Sequence, residues 1–199
     1  MVCYVTEFGI ICTLEMGENS MLTAQQHTLI DAIEALDLAK VKATLAAGVD
    51  PNFVDAEKGP PVSVLCDRLF QWWENICDAY QSSEPFADAK KQQDLQVYID
   101  ILNTLIAAKA NLHLWDSEEF YGPLWDAASA ACEPVVKILL AHGVNPNTKD
   151  DEGLTILSSI SDLFFDCDFD AIDWSEALPE ERATLETLRQ AGAKMSKEL

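Results

Sequence analysis

Apolar residues recur at helical spacing along most of the chain, and each helical run is followed by a polar turn. The clearest run has apolar residues at positions 135, 136, 139 and 140, a spacing that covers one face of a helix. Gly143 follows it, where a helix needs a left-handed cap that glycine adopts at low cost. The sequence from Asn145 to Asn147 favours a turn. The pattern therefore predicts a short helix that is closed by glycine.

The same pattern occurs three more times, with the closing position at Gly48, Lys109 and Gly192. Taken in chain order with Gly143, these positions are separated by 61, 34 and 49 residues. A period of about 33 residues is typical of ankyrin repeats, so the outer intervals predict insertions of about 28 and 16 residues.

The segment from Gly122 to Ala128 resembles the Thr-Pro-Leu-His-x-Ala-Ala opening of an ankyrin inner helix, and looser versions begin at Gly59 and Gly153. Trp125 replaces the histidine that is usual in the family. Lys109 replaces the usual capping glycine, so we expect repeat two to be locally irregular. The resemblance covers residues 22–197. It implies an all-α ankyrin-repeat solenoid of stacked helix-turn-helix units with finger turns.

We therefore predict a non-repeat segment over residues 1–21 and an ankyrin-repeat domain over 22–199. The repeats are placed at about 22–58, 59–119, 120–152 and 153–197. Residues 1–14 are apolar but contain Glu7 and no lysine or arginine, which argues against a secretory signal. They are expected to form a short strand, to be disordered, or to reflect a start codon placed too early, and we favour the last two.

Local signals place several helix boundaries. Thr23 and Gln26 have the spacing of a capping box, and Asp37 is expected to cap the second helix. In repeat two, helical spacing continues from Val62 to Ile76, and a second long helix is predicted from Asp88 to Ala108. The two helices would form a lengthened hairpin. Its aromatic residues either fill the seam between the helices, which we favour, or form a binding hot spot; they are Phe70, Trp72, Trp73, Tyr80 and Phe86.

The segment 150–181 contains eleven acidic residues and no lysine or arginine, and residues 182–191 are expected to form the closing helix. A terminal repeat carries a polar outer face because it meets water. The acidic residues are therefore either solubilising, the interpretation that we favour, or part of an interface.

The formal net charge of −21 and the pI near 4.2 argue against binding to nucleic acid or to anionic membranes, since both would repel the chain. The charge favours a basic protein partner, or it serves solubility alone. Six cysteines without metal-binding or disulfide spacing indicate a reducing, cytoplasmic compartment. No run of 18 apolar residues occurs, so a membrane span is not expected.

No pattern in the sequence predicts catalysis. The segment from Asp166 to Asp170 lacks the glycine and glutamate that a calcium-binding EF-hand loop requires. His27, His113 and His142 are not part of a recognisable catalytic arrangement, and no phosphate-binding glycine loop occurs. We predict no enzymatic activity, no catalytic residue, no cofactor and no metal.

The leading hypothesis is a non-catalytic protein-binding module that regulates or inhibits a basic partner and is monomeric when unbound. The alternatives are an immunity protein that neutralises a toxin such as a nuclease, and an acidic adaptor or scaffold. Because ankyrin fingers and inner helices commonly bind proteins, the resemblance implies partner-binding residues in these elements. They are Asp55, Glu57, Trp115, Asp116, Glu118, Glu119, Phe120, Tyr121, Trp125, Asp150, Asp151 and Glu152.

Overall fold

The chain is divided into two compact units, Met1–Pro123 and Leu124–Leu199. A computed structural model describes most of the chain. The described residues are 2–6, 9–13, 22–81, 88–114, 122–167, 169–175 and 177–199. The described residues are mostly helical, which confirms the predicted class. The predicted repeat boundaries stay a prediction.

The first unit begins with a β-hairpin. Strand β1 (Val2–Thr6) pairs antiparallel with β2 (Gly9–Thr13), with Val2 opposite Thr13 and Thr6 opposite Gly9. A short strand is one of the three alternatives predicted for residues 1–14. The structure has strands at residues 2–6 and 9–13, so this alternative describes them and disorder does not. The hairpin is thus an exception to the predicted wholly helical fold.

Four helices follow in the first unit: α1 (Ala24–Glu34), α2 (Leu38–Ala46), α3 (Pro61–Gln81) and α4 (Asp88–Ala107). Helix α1 packs against α2 and α3, and α4 packs against α2 and α3. The predicted capping box is confirmed, because Thr23 Oγ1 accepts from Gln26 N and Gln26 Oε1 accepts from Thr23 N. Asp37 caps α2 through the Lys40 N–H. These side chains satisfy N–H groups that the first helical turn leaves unpaired.

The lengthened hairpin of repeat two is present as α3 and α4. Trp73 is 4% exposed, and the ring of Trp72 lies 5.9 Å from that of Tyr98 on α4. The Tyr98 hydroxyl also donates to the Arg68 carbonyl. These contacts place the two tryptophans in the seam between the helices. Phe86 lies outside the described residues, as does the side chain of Tyr80.

All four closing positions adopt the left-handed conformation. The φ angles are +93° at Gly48, +85° at Gly143, +89° at Gly192 and +67° at Lys109. Lys109 N donates to the Ile106 carbonyl at 2.9 Å, in the same pattern as Gly143 N to Leu140. The expected irregularity at Lys109 is therefore wrong: the lysine makes the turn that glycine makes elsewhere, at the steric cost of a Cβ atom in this conformation.

Replacing Lys109 with glycine should raise the free energy of unfolding by about 0.5–1 kcal/mol. The relief of backbone strain outweighs the extra freedom that glycine gives the unfolded chain. Urea denaturation followed by circular dichroism would measure the change. Lys109→Ala is the control, since it removes the charge but keeps the strain. Equal effects of both substitutions would contradict the strain argument.

An asparagine side chain joins the two repeats of the first unit. Asn52 Nδ2 donates to the Lys109 carbonyl at 3.1 Å, and Asn52 Oδ1 accepts from Asn111 N at 2.6 Å. Asp50 Oδ1 holds the asparagine in place by accepting from both its N–H and its Nδ2 at 2.9 Å. The turn after α2 is thereby fixed against the turn after α4.

The second unit has the same plan. Its helices are α5, which begins at Pro123 and ends at Ser129, α6 (Glu133–Ala141), α7 (Ile156–Phe165) and α8 (Pro179–Gln190). Asn147 Nδ2 donates to the Gly192 carbonyl at 3.0 Å, and Asn147 Oδ1 accepts from Lys194 N at 2.8 Å. Asn52 and Asn147 each lie four residues after a closing glycine, Gly48 and Gly143. The equivalence supports the sequence alignment of the repeats within each unit.

Helix α8 begins three residues before the predicted Arg182. Pro179 occupies its first turn, where the missing N–H needs no partner, and Glu181 Oε2 accepts from Leu178 N at 2.9 Å. Beyond α8, Arg189 forms two parallel hydrogen bonds with the Glu198 carboxylate at 2.6 and 2.8 Å. Hydrogen bonds from the Arg189 guanidinium and from Met195 N lower the pKa of Glu198 to about 2. This pair fastens the short 3-10 helix Ser196–Glu198 to α8.

Candidate functional site

Two finger loops are described, one in each unit, and both are built on an aspartate. In the first finger, Asp55 N donates to the Gly59 carbonyl at 3.0 Å and Gly59 N donates back at 2.9 Å. The Asp55 carboxylate accepts from Glu57 N at 2.8 Å and from Lys58 N at 3.0 Å. Asp55 therefore closes the loop that carries Glu57 at its exposed tip.

The second finger, between α6 and α7, repeats this construction. Asp150 N donates to the Leu154 carbonyl at 3.0 Å, and the Asp150 carboxylate accepts from Leu154 N at 2.7 Å. Asp150 lies seven residues after Gly143, as Asp55 does after Gly48. Asp151 and Glu152 are exposed at the tip. Of the predicted contact residues in these two fingers, Asp55 and Asp150 thus shape the loops, and Glu57, Asp151 and Glu152 are exposed.

A cleft of about 460 Å³ opens between the first finger, α1 and α3. Lys58 crosses it from the finger and binds Glu34 at the end of α1, with 2.8 Å between Lys58 Nζ and Glu34 Oε2. The hydrogen bond to Glu34 raises the pKa of Lys58, and the charges of Asp55 and Asp31 act in the same direction. Both side chains of the pair remain more than a third exposed, so the pair can exchange with an incoming group.

The α3 side of the cleft presents Asp67, Arg68 and Gln71. Arg68 Nη1 donates to Gln71 Oε1, whereas Arg68 Nε is buried without a hydrogen-bond partner. The two cations of the lining are thus engaged within the chain, by Glu34 and by Gln71. The three carboxylates of the lining exceed the cations by one, and two of them, Glu57 and Asp67, belong to exposed residues. The lining therefore carries one excess negative charge, and Asp67 Oδ2 also accepts from Gln71 Nε2 at 2.8 Å.

The remaining predicted contact residues have different locations. Trp115, Asp116, Glu118, Glu119, Phe120 and Tyr121 lie outside the described residues. Trp125 is 7% exposed, which places it in the interior of its unit and not at the surface where a partner would meet it.

Sequence reasoning missed the cleft residues Glu34, Lys58, Asp67 and Arg68. Glu34 is a charged residue at the end of α1, and Lys58 is the one basic residue of its finger. Either could have suggested an ion pair. Their pairing across 24 residues becomes visible only when the finger is placed beside α1.

Packed helices connected through finger loops, with left-handed caps at matching positions, are typical of a helical repeat protein. Residues 124–158 match the family model described as ankyrin repeats (many copies), which supports assignment of the chain to the ankyrin-repeat family. Ankyrin repeats indicate a protein-interaction module. A search of curated proteins gave no match.

Two further features of the described residues bear on function. None of their helices combines the length and hydrophobicity needed to cross a bilayer. Within the same part of the chain, no group of three or more histidine, cysteine, aspartate or glutamate side chains is arranged to hold a metal ion.

Proposed function

We propose that the chain is a non-catalytic module that binds a basic protein through the cleft of the first unit and the exposed finger tips. The observation that carries the proposal is the lining of the cleft, where Glu57 and Asp67 are exposed carboxylates beside the Glu34–Lys58 pair. A lysine or arginine of the partner would bind Glu57 and Asp67, or replace Lys58 at Glu34. The net charge of −21 would accelerate the encounter with a positively charged surface.

The test uses the full chain as bait for proteins of a native lysate at low and high salt, with mass spectrometry of what is retained. A double variant, Glu57→Gln with Asp67→Asn, removes two charges from the cleft and keeps the size of the side chains. The control, Asp94→Asn with Asp100→Asn, removes two charges from α4, which does not line the cleft.

We expect a basic protein that wild type and control retain at low salt and release at high salt, because exposed charges are screened by ions. The purified partner should bind the cleft variant roughly threefold to tenfold more weakly, about the effect of two exposed ion pairs. Equal retention by both double variants would remove the cleft from the proposal.

An inhibitory role is the finer form of the same proposal. A strongly acidic module can cover the basic cleft in which a nuclease binds its substrate. If the retained partner is such an enzyme, adding the purified chain should abolish its activity at a molar ratio near one to one. Undiminished activity in the complex would instead assign the chain to the adaptor class.

A further inference from the structure

The end of α7 carries apolar side chains that the rest of the unit leaves uncovered. Leu163 is 58% exposed, the largest exposure of any large hydrophobic side chain among the described residues. Phe164 and Phe165, which follow it, are half-buried. Uncovered apolar surface of this kind commonly marks a place where another molecule binds.

Aromatic rings extend this surface toward the start of α8. The ring of Phe165 lies 6.1 Å from that of Phe164 and 6.2 Å from that of Trp174, and Trp174 lies 5.5 Å from Phe169. The pairs are inclined at 60–88°, the edge-to-face arrangement that aromatic rings prefer. We call Leu163, Phe164, Phe165, Phe169 and Trp174 the aromatic patch. Its mutual packing makes it a preformed surface.

Guanidinium groups already lie on two of its rings. Arg182 is 5.5 Å from the centre of the Trp174 ring, and Arg189 is 5.6 Å from that of Phe169. Each arginine also binds a glutamate, Glu186 or Glu198. The Trp174 and Phe169 rings thus already make cation–π contacts within the chain, an interaction that strengthens when water is excluded.

Acidic residues adjoin members of the patch along the chain. Asp162, Asp166, Asp170 and Asp173 are all exposed. Hydrogen bonds from the Ser175 hydroxyl and backbone N–H lower the pKa of Asp173 below its usual range. The patch thus combines an apolar centre with a negative rim, and its complement is a segment with apolar and positively charged faces.

We propose that the aromatic patch binds an arginine-rich amphipathic helix of a protein partner. The apolar face of that helix would cover Leu163 and the aromatic rings, and its arginines would bind the surrounding aspartates. The inference rests on the proposed protein-binding function and adds to it a second surface, in the insertion between α7 and α8. An anionic membrane does not fit, since the four aspartates would be repelled by its headgroups.

The probe is a synthetic peptide of about five helical turns with leucine along one face and arginine along the other. Its binding to the full chain is measured by calorimetry for wild type, Leu163→Ser and Leu199→Ser. Leu199 is the control because it is 55% exposed but lies outside the patch. We expect roughly tenfold weaker binding for Leu163→Ser, about 1.4 kcal/mol, because the leucine side chain would be buried under the peptide and serine would not contribute that apolar burial. We expect no change for Leu199→Ser. Since Leu163 is mostly exposed, its replacement leaves the fold intact.

A second comparison separates a local surface from an effect of net charge. Asp166→Asn with Asp170→Asn should weaken peptide binding, whereas Asp151→Asn with Glu152→Gln at the finger tip should not. Asparagine tolerates the left-handed conformation of residue 166, where φ is +51°. Equal losses in both pairs, or equal binding by Leu163→Ser and wild type, would overturn the proposal.

Vesicles of phosphatidylserine and phosphatidylcholine supply the last arm, and we expect no binding to them. If the wild-type chain binds the vesicles and Leu163→Ser does not, the partner of the patch is a membrane, and the proposed helix is wrong. The cleft variant Glu57→Gln with Asp67→Asn should bind the peptide as wild type does. This comparison separates a failure of the proposal for the aromatic patch from a failure of the proposal for the cleft.

Discussion

Replacing Leu139 with alanine should lower the free energy of unfolding of the second unit by about 2–5 kcal/mol. Leu139 lies on α6 and is 0% exposed, as are Val136 on the same helix and Leu188 on α8. Helix α6 packs against α8, so the removed side-chain atoms leave a cavity in the interior of the unit. The cost combines the lost transfer free energy of these atoms with the cavity itself.

The same substitution at Leu163 is the control, because that leucine also lies in a helix but is 58% exposed. Its effect should stay within about 0.5 kcal/mol. Urea denaturation of the full chain, followed by circular dichroism, measures both changes. Similar destabilisation by the two variants would show that the buried face of α6 does not carry the stability of this unit.

Replacing Asn147 with alanine should destabilise the second unit by about 1–2 kcal/mol. The substitution removes two hydrogen bonds and leaves the Gly192 carbonyl and the Lys194 N–H without their partner. A hydrogen bond contributes about 1 kcal/mol net, and backbone groups that lose a partner add their desolvation. The residue is half-buried, so water recovers part of the loss.

Amide hydrogen exchange gives this prediction a local readout. In Asn147→Ala, the Lys194 N–H should exchange faster, whereas the Asn111 N–H, which donates to Asn52 in the first unit, should keep its rate. Asn52→Ala should show the reverse. Asn103→Ala, at an exposed position on α4, should be neutral or slightly stabilising because alanine is the better helix former. Unchanged exchange at Lys194 would show that the bridge is not formed in solution.

The sequence predicted those parts of the fold that depend on neighbouring residues. The Thr23 capping box, the Asp37 cap and the left-handed turn at Gly48 all involve hydrogen bonds between residues at most a few positions apart. Their geometry follows from the local backbone. The types of residue at fixed positions around a helix end are therefore enough to identify them. The same holds for the long helices α3 and α4, whose apolar spacing extends over many turns.

Features formed by distant residues were not predictable in this way. Glu34 meets Lys58 across 24 residues, and Asn147 meets Gly192 across 45. The burial of Trp125 depends on which side of the short helix α5 faces the interior, and seven residues carry too little periodicity to decide this. The aromatic patch was not identified because the acidic residues of segment 150–181 favoured a solvated face, and an interface was considered for the acidic residues alone.

The asparagine bridges have a consequence for how the chain tolerates length changes. Helices α3 and α4 begin and end beside the turn that Asn52 holds, and α7 and α8 do so beside the turn that Asn147 holds. The hydrogen bonds of Asn52 and Asn147 therefore do not depend on the length of the chain that connects each pair of helices at their other ends. We therefore expect that a foreign peptide or a small reporter domain spliced between α3 and α4, or between α7 and α8, would leave both asparagine bridges formed.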